Sequence, residues 1–480
     1  NAVHAGQTGT WGYRLSAGHE QFQTWAARDT QSLNSQKATA LLDHHLSSDS
    51  MVRAEAGFLT ANPYNGIANP IGTQINSPFH HAYGRLSYES TNLHLNGWYS
   101  GYAAEGPAHI FSPLQQFNFQ LTDRADVSDQ RYALNTYNLD GYYHTTVFET
   151  LTLGTGANYR RILESSNILS QRTSEDRLGL FSQASWKPVT MFEIVGGVRY
   201  DLDSFITPTL SPQVAVLLRP LPEHTIRFST SSAYRPPIMS EVAIDVRQWI
   251  TVPGFPPFYS RSIGSTDILP EKITSYELEY QGWWWQHRLR TRVSAFFNHV
   301  SDLIEFRKTT TNLTDPAQPI NGGQADMYGG EAGFEWLATS WLSGFANYSY
   351  QEVSQTFTGF NRRGFPRHKV NAGLRLTWTP GLTGEVLYHH VSAAAYPLAD
   401  AFTHLPFPTG TVLPHERVPG YNLLNLRLGY RFWMEQVSDG YRREAEVAVS
   451  AFNALNDKHR EHPLGDILGS RVMGWLTMRY

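Results

Sequence analysis

The feature that most restricts this chain is a two-residue alternation of apolar and polar side chains that recurs from one end to the other. In Trp11-Gly12-Tyr13-Arg14-Leu15-Ser16-Ala17, positions 11, 13, 15 and 17 are apolar while Arg14 and Ser16 are polar. Val52-Arg53-Ala54-Glu55-Ala56-Gly57-Phe58 places its charges only at 53 and 55. The same period runs through Gly84–Tyr88, Ile226–Ser229, Tyr276–Tyr280, Leu289–Ala295, Val370–Leu376 and Leu424–Leu428. Successive side chains of a strand point to opposite faces, so each segment predicts a strand with one apolar and one polar face. A soluble antiparallel sheet with one wet side would show the same pattern.

Number, connection length and aromatic placement favour a membrane barrel. About twenty strand segments are found, too many for one open sheet without edges to protect. Their connections alternate. Short ones run from Leu46 to Ser50, Glu89 to Asn92, Lys187 to Thr190, Pro220 to His224 and Thr379 to Thr383; long ones occupy 60–76, 103–129, 236–270, 305–325 and 395–418. Tight turns at one rim and long loops at the other are the asymmetry of outer-membrane barrels. Aromatics crowd strand ends, as in Trp283-Trp284-Trp285 and Phe432-Trp433, where interfacial girdles belong. The expected fold is all-β, a transmembrane antiparallel β-barrel.

Composition removes the main alternatives. No run approaches the ~18 apolar residues of a helical span, and 13% aromatics with 17% charged residues is unlike a disordered chain. Lys plus Arg is 38 against 42 Asp plus Glu, so the chain offers no electrostatic footprint for nucleic acid. Cysteine is absent, which excludes disulfides, thiolate metal sites and cysteine nucleophiles. No nucleophile-elbow, zinc-helix or phosphate-loop motif occurs, and no enzymatic role is expected. His80-His81 and His389-His390 are adjacent pairs that a strand would send to opposite faces. His459 and His462 are spaced suggestively within Lys458–Pro463 but are expected to be solvated; no metal site and no cofactor is assigned.

Several segments then carry a family resemblance. Ala233-Tyr234-Arg235-Pro236-Pro237 followed by Glu241, and Leu269-Pro270-Glu271-Lys272-Ile273-Thr274-Ser275-Tyr276-Glu277-Leu278, resemble the mid-barrel signature of TonB-dependent outer-membrane receptors. Asn321-Gly322-Gly323-Gln324-Ala325 leading to Tyr328-Gly329-Gly330-Glu331 is similar to the strand that follows it. Pro366–Asn371, Ala451-Phe452-Asn453-Ala454-Leu455-Asn456-Asp457 and an alternating last strand ending in Tyr480 complete the set, which spans essentially the whole chain. The resemblance implies a barrel of about 22 strands in the bacterial outer membrane, of which about twenty are counted here. It implies a preceding plug domain of roughly 130–150 residues, so the plug, the first strand and most of the second are expected to precede Asn1, with 1–480 forming barrel. It further implies a TonB-type energy-transducing complex acting through that plug, a lipid surround, and import of a scarce nutrient. An iron–siderophore complex leads, ahead of cobalamin, haem or another metal chelate. A plugless passive pore, or a structural barrel of a larger assembly, is the alternative reading.

Two further features bear on such a role. If the apolar faces meet lipid, the lumen is lined by Arg53, Glu55, Arg85, Glu89, Glu193, Arg199, Arg219, Arg227, Glu277, Glu279, Arg290, Arg292, Glu331, Glu335, Arg375 and Arg427. This mixture of signs suits either contacts with a folded plug or charge pairs within the wall. The stretch 236–270 concentrates aromatics and prolines, which favours a structured apical loop that helps cap a ligand. Stacking and charge toward a planar or anionic chelate single out Arg247, Trp249, Phe258, Tyr259 and Arg261, with Phe111, Tyr396, His404 and His415 in other long loops.

Overall fold

Each alternating segment forms a strand, and each strand of the wall pairs with the next wall strand along the chain. The structure, a computed structural model, describes residues 1–22, 33–67, 74–107, 129–250, 258–308, 315–357, 360–362, 365–379, 381–396, 417–438, 441–462 and 467–479. One 24-stranded sheet contains nearly all of them. Three of its strands, Asp245–Ile250, Phe258–Ile263 and Phe360–Arg362, are short additions. The other 21 form a sequential antiparallel wall from Ala2–Thr8 to Arg471–Arg479. Among the described residues those two outermost strands are not joined to each other, and the one helix is Met239–Ala243.

The wall turns its apolar faces outward. Leu139 and Leu428 are 62% and 61% exposed, and Leu86, Leu278 and Val449 are exposed beside them, whereas the buried apolar residues include many small ones such as Ala61, Ala104 and Ala448. In water this pattern would be unstable at about 25 cal/mol per Å² of exposed apolar surface; in a bilayer the hydrocarbon takes the place of the core.

The opposite face is polar and largely pairs within itself. Arg53 donates to Asp43 at 2.7 Å, Arg219 to Glu193 at 2.8 Å and Arg427 to Glu446 at 2.6 Å. Arg227 lies 3.6 and 3.7 Å from Glu277 and Glu279, and Arg292 lies 3.6 Å from Glu335. A hydrogen-bonded chain crosses four strands: Arg85 to Asn96 (2.6 Å), Asn96 to Asp140 (3.0 Å), Asn138 to Asp140 (2.7 Å), and Asn158 and Arg160 to Asn138. Most of these charged and polar groups find a wall partner, as burial favours, although Arg219 Nη1 is buried without one among the described residues.

One rim carries the tight turns. Leu46 N–H donates to the Ser50 carbonyl at 2.9 Å, and Trp285, Gln286 and His287 take left-handed φ values of 52°, 55° and 64° to reverse the chain. Aromatic contacts belt this rim: Trp11 stacks on His44 at 4.0 Å, His224 meets Trp284 at 4.6 Å, and Trp341 meets Trp378 at 5.1 Å. At the other rim the strands extend further than the alternation indicates. The expected loops 60–76 and 305–325 are shortened from both sides and 103–129 from its start, because strands reach Ile67, Pro107 and Lys308 and resume at Gln74, Asp129 and Ala317. Asp129–Phe148 has 20 residues and Ala317–Leu337 has 21, against roughly 9–11 needed to cross a bilayer. Above the hydrocarbon no face must be apolar, so the alternation fades while the backbone ladder continues.

Candidate functional site

At the long-loop rim the motif residues build a clamp. Consecutive prolines end the strand His224–Arg235, since Pro236 and Pro237 have no N–H for a ladder. The chain turns into Met239–Ala243, whose start is held by the Glu241 carboxylate accepting the Ile238 N–H at 2.8 Å. Arg235 donates through Nε to Glu271 at 2.5 Å and through its two terminal nitrogens to Glu241 at 3.2 Å each. The other oxygen of Glu271 accepts the Ile304 N–H at 2.9 Å. Asn321 completes the joint: its Oδ1 accepts the Leu269 N–H at 2.7 Å, and its Nδ2 donates to the carbonyls of Leu269 (2.9 Å) and Asp302 (2.7 Å). Gly264 is required where it stands, because a Cβ there would lie 2.2 Å from the Val242 carbonyl oxygen.

This clamp carries an antiparallel hairpin, Asp245–Ile250 with Phe258–Ile263. Its register sets Arg247 opposite Arg261, Trp249 opposite Tyr259 and Ile250 opposite Phe258. Positions 245, 247 and 261 share one face. Two arginines facing each other would repel, and Asp245 relieves this by accepting from Arg261 Nε at 2.9 Å and Nη2 at 2.8 Å. The Arg261 guanidinium holds the Asp245 carboxyl below the usual carboxylate range. Arg247 is exposed and makes no hydrogen bond or ion pair to a described residue. A bridge between Ser262 and Ala317 ties the hairpin back to the wall.

Five of the nine residues singled out from sequence thus share one ribbon: Arg247, Trp249, Phe258, Tyr259 and Arg261. Arg261 is already engaged by Asp245, and Arg247 is the more open cation. Tyr396 lies elsewhere, its hydroxyl donating to the Glu461 carbonyl at 3.1 Å and its ring edge-on to His462 at 5.0 Å. Burial pushes the Tyr396 phenol up, helped by Glu461. Phe111, His404 and His415 fall outside the described residues.

The histidine pairs behave differently from one another. His389 hydrogen-bonds Asn371 while His390 bonds Asn422 at 2.9 Å, so the adjacent rings take opposite faces as expected. The expectation of a solvated His459 is corrected: its side chain is 7% exposed. Asn453 and Asn456, both at left-handed φ, explain the burial. Asn453 bonds Asp457 through both its amide atoms at 3.0 Å, and Asp457 accepts the Asn422 N–H at 2.8 Å, which folds the segment against the wall. The Asn453–Asp457 motif was the available signal, since such residues favour compact left-handed turns. Among the described residues no three His, Asp or Glu groups converge as a metal site.

Comparison with known proteins agrees with this architecture. A family model described as "TonB dependent receptor-like, beta-barrel" matches residues 7–454. An iron-regulated outer membrane virulence protein of Vibrio cholerae serotype O1 is 26% identical over 225 residues, covering 44% of this chain and 33% of its own length. The chain therefore spans about a third of the curated relatives it matches. The siderophore receptor PirA of Acinetobacter baumannii superposes with a TM-score of 0.73 at 14% identity, covering 96% of this chain and 74% of that one. The FrpB iron transporter of Neisseria meningitidis gives 0.72 at 12% identity, with 98% and 77% covered. A ferric enterobactin receptor of Pseudomonas aeruginosa, solved with enterobactin, gives 0.75 at 14% identity, with 98% and 77% covered.

Proposed function

Because the chain belongs to the TonB-dependent receptor family, whose β-barrel it forms, we propose that the whole protein imports an iron–siderophore or related metal chelate across a Gram-negative outer membrane. The observation that carries this reading is the clamped hairpin at the long-loop rim, with Arg247 open beside the Asp245–Arg261 pair. Catecholate and carboxylate iron chelates are anionic, and haem-type chelates are planar. An exposed guanidinium attracts the charge, and the ladder neighbours Trp249 and Tyr259 are of the type that stacks on flat ligands. The names of relatives point the same way, one being iron-regulated and others siderophore receptors.

A wall of this width cannot be filled by its own side chains, so an unplugged lumen would conduct. Paired lining charges give the lumen no strong preference for one sign of ion. Selectivity is therefore assigned to loops and a plug, and the work of import to a TonB-type complex pulling on that plug. The test is a pair of measurements on the complete protein in planar bilayers and in detergent. A quiet membrane together with saturable binding of ferric enterobactin, weakened about tenfold by Arg247→Ala (about 1.4 kcal/mol for a charge-assisted contact), supports the receptor. A large steady conductance with no chelate binding overturns it in favour of a passive pore.

A further inference from the structure

The geometry points to a metal-ion site at the long-loop rim, formed by His459 Nε2, the Glu461 carboxylate and the Tyr421 phenol, and suited to ferric iron. This goes beyond chelate import, since it concerns the bare ion and residues away from the hairpin.

The starting observation is an unpartnered buried atom. His459 Nδ1 donates its proton to the Asp457 carbonyl at 2.7 Å, which leaves a lone pair on Nε2. That atom is buried and has no hydrogen-bond partner among the described residues. It faces the Glu461 carboxylate, with Nε2 and Oε1 3.7 Å apart. A carboxylate oxygen opposite this atom is favourable only if the imidazole is protonated or a metal cation lies between the two. Two ligands about 2.1 Å from a common ion sit roughly 3–3.5 Å apart, so these donors need to close by only a few tenths of an ångström. A backbone carbonyl fixing Nδ1–H is the arrangement that orients a ligating imidazole.

A third donor lies on the wall. Tyr421 is 9% exposed. Its ring stacks on the His459 ring with centroids 4.1 Å apart. The register places Tyr421 opposite Val391, in the same facing row as Lys369 and on the lumen side. Tyr396 holds the Glu461 backbone through its hydroxyl. The Asn453–Asp457 turn fixes the far end of the segment, so the backbone that carries His459 and Glu461 is held at both ends before any ion arrives.

Donor type selects the ion. One carboxylate and one phenolate with a single imidazole form a hard, anionic set, which favours a trivalent oxygen-loving ion over zinc or copper, whose sites are richer in nitrogen and sulfur. On binding, the Tyr421 O–H bond breaks, its proton leaves to water, and the phenolate oxygen takes the ion; the ion is neither oxidised nor reduced.

The experiment uses the complete protein in detergent, incubated with ferric nitrilotriacetate and desalted. Expected is one retained iron per chain with a visible phenolate-to-iron charge-transfer band. Tyr421→Phe keeps the ring stack and should lose the band. His459→Gln and Glu461→Gln should each weaken iron retention at least tenfold, with β-sheet circular dichroism unchanged as the check on folding. No retained iron, an undiminished band in Tyr421→Phe, or preferential retention of zinc would overturn the site. Arg247→Ala should leave ion retention untouched while weakening ferric enterobactin, so failure of one proposal is distinguishable from failure of the other.

Discussion

Asp245 decides how much positive charge the hairpin offers. It neutralises Arg261 through two hydrogen bonds and leaves Arg247 as the exposed cation of the pair. Asp245→Asn releases the second guanidinium, and we predict faster association of an anionic ferric chelate at low salt, with the gain removed by added salt. Stopped-flow tryptophan quenching measures both. The pH dependence follows from the sign of the shift. A carboxyl held below its usual range contributes its pairing above the unfolded value and loses it as pH falls through the lower folded value. Hydrogen exchange across 245–263 should therefore be unaffected by this pair between pH 6 and 8 (more than about 2 units above the ordinary Asp value) and rise only in acid. Loosening of the hairpin between pH 6 and 7 would mean that another group governs it.

Among the elements, the wall strands impose opposite rules on neighbouring positions. Leu139 meets lipid, so Leu139→Arg should destabilise the barrel by about 2–4 kcal/mol if it lies near the midplane. Gln213 faces the lumen and bonds Gln183 at 3.2 Å, so Gln213→Arg should stay within about 0.5 kcal/mol. Urea titration of folding into lipid vesicles compares the two. A third substitution probes packing between strands. Gly57 lies opposite Tyr83, and a Cβ there would come within 2.2 Å of the Tyr83 ring. Gly57→Ala should displace that ring, break its hydrogen bond to Glu55 and cost about 1–3 kcal/mol, read in the same titration. These strands were legible because lipid and water make contrary demands every second residue, as Leu86 and Arg85 illustrate. The extensions to Ile67 and Lys308 were not. Beyond the membrane, ladder pairing needs only backbone groups, and Asn and Gly positions there carry no periodic signal.

For the molecule as a whole, legibility divides between framework and cargo. Arg235, Glu241, Glu271 and Asn321 stood out as a motif, and they prove to be partners in one clamp although 86 residues of chain separate the first from the last. The burial of His459 was only half legible: Asn453–Asp457 signalled a compact turn, but what covers the ring, Tyr421 beside Asn422, arrives from another strand. Chelate identity is hidden for a stronger reason: Arg247 and Arg261 specify charge, and many chelates share it. The central claim is energised import, and uptake of a radiolabelled ferric catecholate by cells producing the complete protein tests it most directly. Accumulation that stops when the TonB-type complex is removed, while chelate binding at the surface persists, is the predicted result. Uptake that continues unchanged without that complex would contradict the account and identify a passive pore.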